Sequence, residues 1–121
     1  MATHRNELTI TIADRSLILR PSFLELERLE GILGTGLLEY LGRLAESGGT
    51  SIKVGEVVRI LHAGVRGGMK DAAPSIEELG DMIFDEGLTT CIEHAANFLQ
   101  GAVLRADQAQ NIKEAVAAGG K

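Results

Sequence analysis

Residues 54–68, VGEVVRILHAGVRGG, repeat apolar side chains at one helical interval, and this stretch limits the fold more than any other. Val54, Val57, Val58, Leu61 and Val65 stand at i, i+3, i+4, i+7 and i+11. They form one stripe on a helix of about 3.6 residues per turn, with Glu56, Arg59 and Arg66 off it. The Gly67–Gly68 pair reads as the end of the helix, because glycine takes the left-handed conformation of a C-cap at little steric cost. Arg66 then lies in the last turn, where a cation suits the negative end of the helix dipole. Shorter amphipathic segments flank this helix on both sides, and none is wide enough to make a core alone. They are expected to pack on it.

The N-terminal part alternates. Leu8, Ile10 and Ile12 are separated by Thr9 and Thr11, which is strand spacing with β-branched residues. Residues 13–16 read as a polar turn and Leu17, Ile18, Leu19 and Arg20 as a second strand, giving a hairpin with one oily face. A lone hairpin is marginal in water, so it must lie on the helices. Pro21 stops the second strand. Ser22 with Glu25 then forms an S-x-x-E capping box ahead of a first helix over residues 23–33, with Leu26, Leu29 and Leu33 inward and Gly34 ending it.

A second helix carries Leu37, Leu41, Leu44 and Ala45, and a Ser/Gly loop at residues 47–51 separates it from the central helix. Residues 69–74 are a connector. Ser75 with Glu78 is a second capping box, opening a short helix with Ile76, Leu79, Met82 and Ile83 apolar. Gly87 breaks that helix. A fifth places Leu88, Cys91, Ile92, Ala95, Leu99, Ala102 and Val103 on one face, with Phe98 widening the arc. The expected fold is α+β and mostly helical: an N-terminal β-hairpin packed on about five short helices. Residues 1–105 make one domain, and 106–121 an Ala-rich extension read as a frayed helix or disordered.

Composition excludes several classes of function. The chain has 121 residues, enough for one modest core, and its aromatic content of 3% without Trp leaves that core to Leu, Ile, Val and Ala. No apolar run approaches the roughly 18–20 residues of a membrane span. The N-terminus has no signal-peptide core, so a host-cell cytoplasm is the expected location. The net charge of −5 is unevenly spread. Residues 71–94 hold seven acids and no Lys or Arg, whereas residues 51–70 set Lys53, Arg59, Arg66 and Lys70 against Glu56. An acidic chain with few stacking side chains is poorly suited to nucleic acid. The acidic block, with Glu77, Glu78, Asp81 and Asp85 on one helix, reads as a solvated face or as a docking surface for a basic partner.

The chemistry-bearing residues do not converge. Cys91 and His94 lie three apart on a helix, but neither an orienting group nor an oxyanion hole accompanies them. Cys91 also sits on the apolar stripe, as a structural thiol does. A small Cys/His enzyme is therefore only an alternative. His4, His62 and His94 are too dispersed for a metal site, and no cofactor or small-molecule motif is present. Gly64-Val65-Arg66-Gly67 matches the G-x-x-G loop of the KH module in form, without the strands that would build its sheet.

The order of parts resembles a known family. The quoted hairpin, the helix Leu26-Glu27-Arg28-Leu29-Glu30-Gly31-Ile32-Leu33-Gly34, the A-G-V-R-G-G turn of residues 63–68 and the capped S-x-E-E-L segment of residues 75–79 are similar to small tail-assembly proteins of siphophage-like particles. The branch is that of gene transfer agents and related prophages, and the resemblance covers roughly residues 7–104. It implies a tail assembly chaperone, not an enzyme, that keeps the tape measure protein soluble while tail tube subunits polymerise, with self-association. The name tail tube protein is also attached to this branch, which makes a structural component retained in the particle the alternative. A client-binding surface needs exposed apolar area, and Ile60, Phe98 and Leu99 are the candidates for it, beside the acidic Glu77, Glu78, Asp81 and Asp85.

Overall fold

The computed structural model describes residues 7–104; the expectation for residues 106–121 lies outside them. Two strands, β1 (Leu8–Ile12) and β2 (Arg15–Leu19), precede five helices: α1 (Phe23–Leu33), α2 (Leu37–Ser47), α3 (Val54–Met69), α4 (Ile76–Glu86) and α5 (Leu88–Val103). A single 3-10 turn, Lys70–Ala72, links α3 to α4. The class is α+β, mostly helical, as the sequence implies.

The strands pair antiparallel with Ile10 opposite Leu17 and Ile12 opposite Arg15. The turn is therefore two residues long, not four, and Arg15 and Ser16 belong to the strand. Ala13 and Asp14 take φ of 50° and 65°. Positive φ at both central positions is the type I′ geometry, whose twist matches that of the flanking strands. Ala13 is an unusual choice there. Its N–H is held at 2.9 Å by the Glu86 carboxylate at the end of α4, which ties the turn to the helical layer. Ile10, Ile12, Leu17 and Leu19 are all buried.

α3 is the hub, packing against β2, α1, α4 and α5. Its buried set is Val57, Val58, Ile60, Leu61, Ala63, Gly64, Val65 and Gly67, wider than the sequence stripe, while Val54 at its start is exposed. The glycine pair does not end the helix. α3 continues through both glycines to Met69, and β2 with the chain after it lies directly on them. A Cβ on Gly67 would strike the Arg20 carbonyl oxygen, and one on Gly68 that of Ile18. On Gly64 it would come within 2.9 Å of the Leu19 side chain. These glycines are absences of side chain that let a strand backbone reach a helix backbone. The Gly64–Gly67 segment is thus helix, not a nucleic-acid loop.

Arg20 locks the contact. Its backbone N–H donates to Gly64 O at 3.0 Å, and its guanidinium donates from Nε and Nη2 to Gly67 O at 3.3 Å each. Gly67 O belongs to the last turn of α3, where carbonyls lack intrahelical donors, so the guanidinium completes the helix end.

The other helices are joined in the same manner, by carboxylates reaching between elements. Glu30 of α1 accepts from the Leu37 N–H at 3.0 Å, capping α2 where Gly36 has no side chain to do so. Glu56 of α3 accepts from the Tyr40 hydroxyl of α2 at 3.0 Å and from the Lys53 N–H at 3.0 Å. The box at Ser75–Glu78 is complete, with bonds of 3.1 and 3.0 Å. The one at Ser22 is half made, because Glu25 turns away to Arg66 of α3 at 3.0 Å.

Gly67→Ala is expected to destabilise the fold by about 3 kcal/mol, since two backbones must separate to admit one methyl group. Gly42→Ala, on the exposed side of α2 with open space around it, is expected to stabilise by up to about 1 kcal/mol. Urea unfolding of the two variants against the parent checks both signs.

Candidate interaction surface

The side chains singled out in the sequence separate into two groups. Glu77, Glu78, Asp81 and Asp85 are exposed on α4. Ile60, Phe98 and Leu99 are buried at 0%, 2% and 0% exposure, so the expectation of surplus apolar surface at these three is corrected. Ile60 lies off the main stripe of α3, but α3 is enclosed by four elements, and an off-stripe position on an enclosed helix still faces core. Leu99 lies on the apolar stripe of α5, and Phe98 beside it also faces inward because α5 is packed by α2, α3 and α4.

The exposed apolar area lies on peripheral helices instead. Phe23 and Leu24 stand 75% and 70% exposed at the start of α1, and Leu38 63% exposed at the start of α2. Phe84 of α4 is 62% exposed and Ile32 of α1 47%. Their signal was present in the sequence. Leu24 and Ile32 fall off the Leu26–Leu29–Leu33 stripe, Leu38 off the Leu37–Leu41–Leu44 stripe, and Phe84 off that of Ile76, Leu79 and Ile83.

Phe23 stands between two grooves. One, of about 390 Å³, runs between α1 and α2 and is lined by Phe23, Leu26, Leu37, Leu38 and Val103, with Glu27 and Glu30 on its rim. The other, of about 410 Å³, is lined by Phe23 and Leu24 together with Arg66, Lys70 and Asp71. Apolar side chains around a groove with a charged rim make a surface of the kind that binds another protein.

The titratable groups are tuned by burial. Burial, and to a smaller degree Glu86, pushes the Cys91 thiol up to about 11, so at neutral pH it is held as the protonated thiol. Burial and then the hydrogen bond to Glu56 raise the Tyr40 hydroxyl. Burial and then the charge of Arg66 lower the His62 imidazole below its usual 6.5. Among the described residues, no group of three or more His, Cys, Asp or Glu is placed to hold a metal ion, and no helix is long and apolar enough to cross a membrane.

Two outcomes follow from these shifts. A lowered folded-state value means the unfolded chain binds the proton first, so the His62 contribution is intact above pH 6.5 and is lost as pH falls below it. Denaturation between pH 7 and 5 is expected to show a smaller loss of stability for His62→Gln than for the parent. Cys91 is expected to react with a thiol reagent only at the rate of unfolding, so labelling with and without denaturant separates a core thiol from an accessible one.

No curated protein and no solved structure matches the chain. A family model described as phage tail tube protein, GTA-gp10, matches residues 5–105. The matched range contains the hairpin, the glycine-mediated crossing and the five described helices, and the chain belongs to this phage tail tube protein family.

Proposed function

We propose that the protein helps to build a phage-type tail tube as a protein-binding subunit, without chemistry of its own. The observation that carries this reading is the exposed apolar shelf of Phe23, Leu24 and Leu38 around the two grooves of α1. Membership of a family described as tail tube protein supports the tail context and favours a subunit that stays in the particle and associates with its own kind.

A second reading is the tail assembly chaperone, which binds the tape measure protein in the host cytoplasm while tube subunits polymerise. It is favoured by the smallness of the sheet. Two five-residue strands give little edge from which to build a tube wall, whereas a helical body with an apolar shelf suits a largely helical client.

Quantitative mass spectrometry of purified particles separates the two. A retained subunit is expected at a fixed ratio to other tail components; a chaperone is expected to be missing from particles. The chaperone is also expected to co-elute with the tape measure protein of its gene cluster when the two are co-expressed. In either case the shelf is expected to be one of the contact surfaces. Phe23→Ser combined with Leu38→Ser should weaken capture of the partner about tenfold or more, while stability stays within about 0.5 kcal/mol of the parent. Unchanged capture would remove the shelf from the reading.

A further inference from the structure

We propose that copies of this chain dock head to tail, the acidic outer face of α4 with Phe84 at its edge seating on the basic groove between α1 and α3 of the next copy. This deepens the reading of a self-associating tail subunit and rests on it.

The first face is built from one helix. Glu77, Asp81 and Phe84 stand at i, i+4 and i+7 with Asp85 beside them, so three exposed carboxylates share one side of the helix with an exposed aromatic ring at the edge of their arc. Among the described residues none of these carboxylates forms an ion pair; the pairs present are those of Glu25 with Arg66 and Arg28. The face therefore combines charge without internal partners and apolar area without cover.

The second face has the opposite character. A groove between α1 and α3 is lined by Arg28, Ile32, Arg59 and His62, with Ile32 offering apolar surface at its edge. Its carboxylate, Glu25, is held by Arg66 at 3.0 Å, and Arg28 and Arg59 are exposed. The segregation is visible in the sequence, where a basic stretch ending at Lys70 adjoins an acidic one without a single Lys or Arg.

A single copy cannot satisfy itself. Ile76, the first residue of α4, lines the basic groove, and Phe84 lies eight residues further along the same helix. That is about 12 Å of rigid rod, so Phe84 cannot fold back into the groove at its own N-terminus. A second copy supplies what the first cannot. Because the two faces differ, a contact that uses one face from each copy leaves the other two free and continues into a ring or a stack, whereas a reciprocal pair, with α4 of each copy on the groove of the other, closes as a dimer; the mass in solution separates the two.

The test is sedimentation and light scattering across a concentration series, with circular dichroism to follow folding. The parent is expected to associate, more weakly as salt rises. Asp81→Arg with Asp85→Arg, and separately Arg28→Glu with Arg59→Glu, are expected to weaken self-association about tenfold or more. Mixing these two variants is expected to restore association in a one-to-one ratio, since the unaltered acidic face of one meets the unaltered basic groove of the other. Phe84→Ser reports on the apolar part without changing charge. A parent that stays monomeric at every concentration, including one that binds the tape measure protein as a monomer, overturns the proposal. So do reversed variants that associate like the parent, or a mixture that does not pair. The particle census tests the tail reading independently, so failure of one is distinguishable from failure of the other.

Discussion

The fold depends on a strand backbone lying directly against a helix backbone. Gly64, Gly67 and Gly68 remove three side chains from one face of α3, and the Leu19 side chain and the carbonyls of Arg20 and Ile18 occupy the space. Without that approach the hairpin loses its main packing surface and keeps only its contact with α4, and two five-residue strands do not hold themselves in water. With it, Ile10, Ile12, Leu17 and Leu19 become part of the same core as Val57, Leu61 and Val65. Arg20 converts proximity into register. Its N–H and guanidinium both bond to α3 carbonyls, so a slip of one residue would lose those bonds and turn the oily face of the hairpin outward.

Polar groups hold the helices in a parallel scheme. Glu25, Glu30, Glu56 and Glu86 each reach from one element to another, on Arg66, Leu37 N–H, Tyr40 and Ala13 N–H respectively. Three of the four accept from a neutral donor. An ionised acceptor strengthens such bonds, and each satisfies a donor that would otherwise be left to solvent at a helix end, a turn or a packed phenol. The half-made capping box at Ser22 shows the competition directly. Glu25 gives up the local bond to its own helix start and takes a cation from α3, trading a cap for a tie between elements.

Most of the architecture was legible because it rests on periodicity. The alternation at Leu8–Ile12, the stripe of α3 and the S-x-x-E pairs each name an element through one local rule, and the structure places those elements where the rules do. What was not legible rests on tertiary approach. Gly67 and Gly68 look like a helix terminus, because a local rule knows glycine as a C-cap and has no means of seeing a chain segment arrive from 47 residues away. Residues 13–16 look like one polar turn, because nothing in Arg15 and Ser16 shows that they pair with Ile12 and Thr11. Tyr40 does not figure in the stripe of the second helix, and its hydroxyl finds its partner in Glu56 on α3.

The same distinction governs the interaction surface. An apolar residue off its helix stripe is a signal of surface only when the helix lies at the periphery. Ile60 and Phe84 are both off-stripe, yet one is fully buried and the other 62% exposed. The difference is the number of neighbours their helices have: α3 is covered by β2, α1, α4 and α5, while the outer face of α4 is covered by nothing within the described chain. The place of the α3 stripe in the middle of the chain, with amphipathic segments on either side of it, already marks it as the helix on which the others pack. Reading off-stripe residues only on the shorter flanking helices would have selected Leu24, Ile32, Leu38 and Phe84 and passed over Ile60. For a small helical domain built round one hub helix, the large apolar surface available to partners is thus encoded mostly in the satellites, while the hub contributes charged side chains such as Arg59 and Arg66 at its margins.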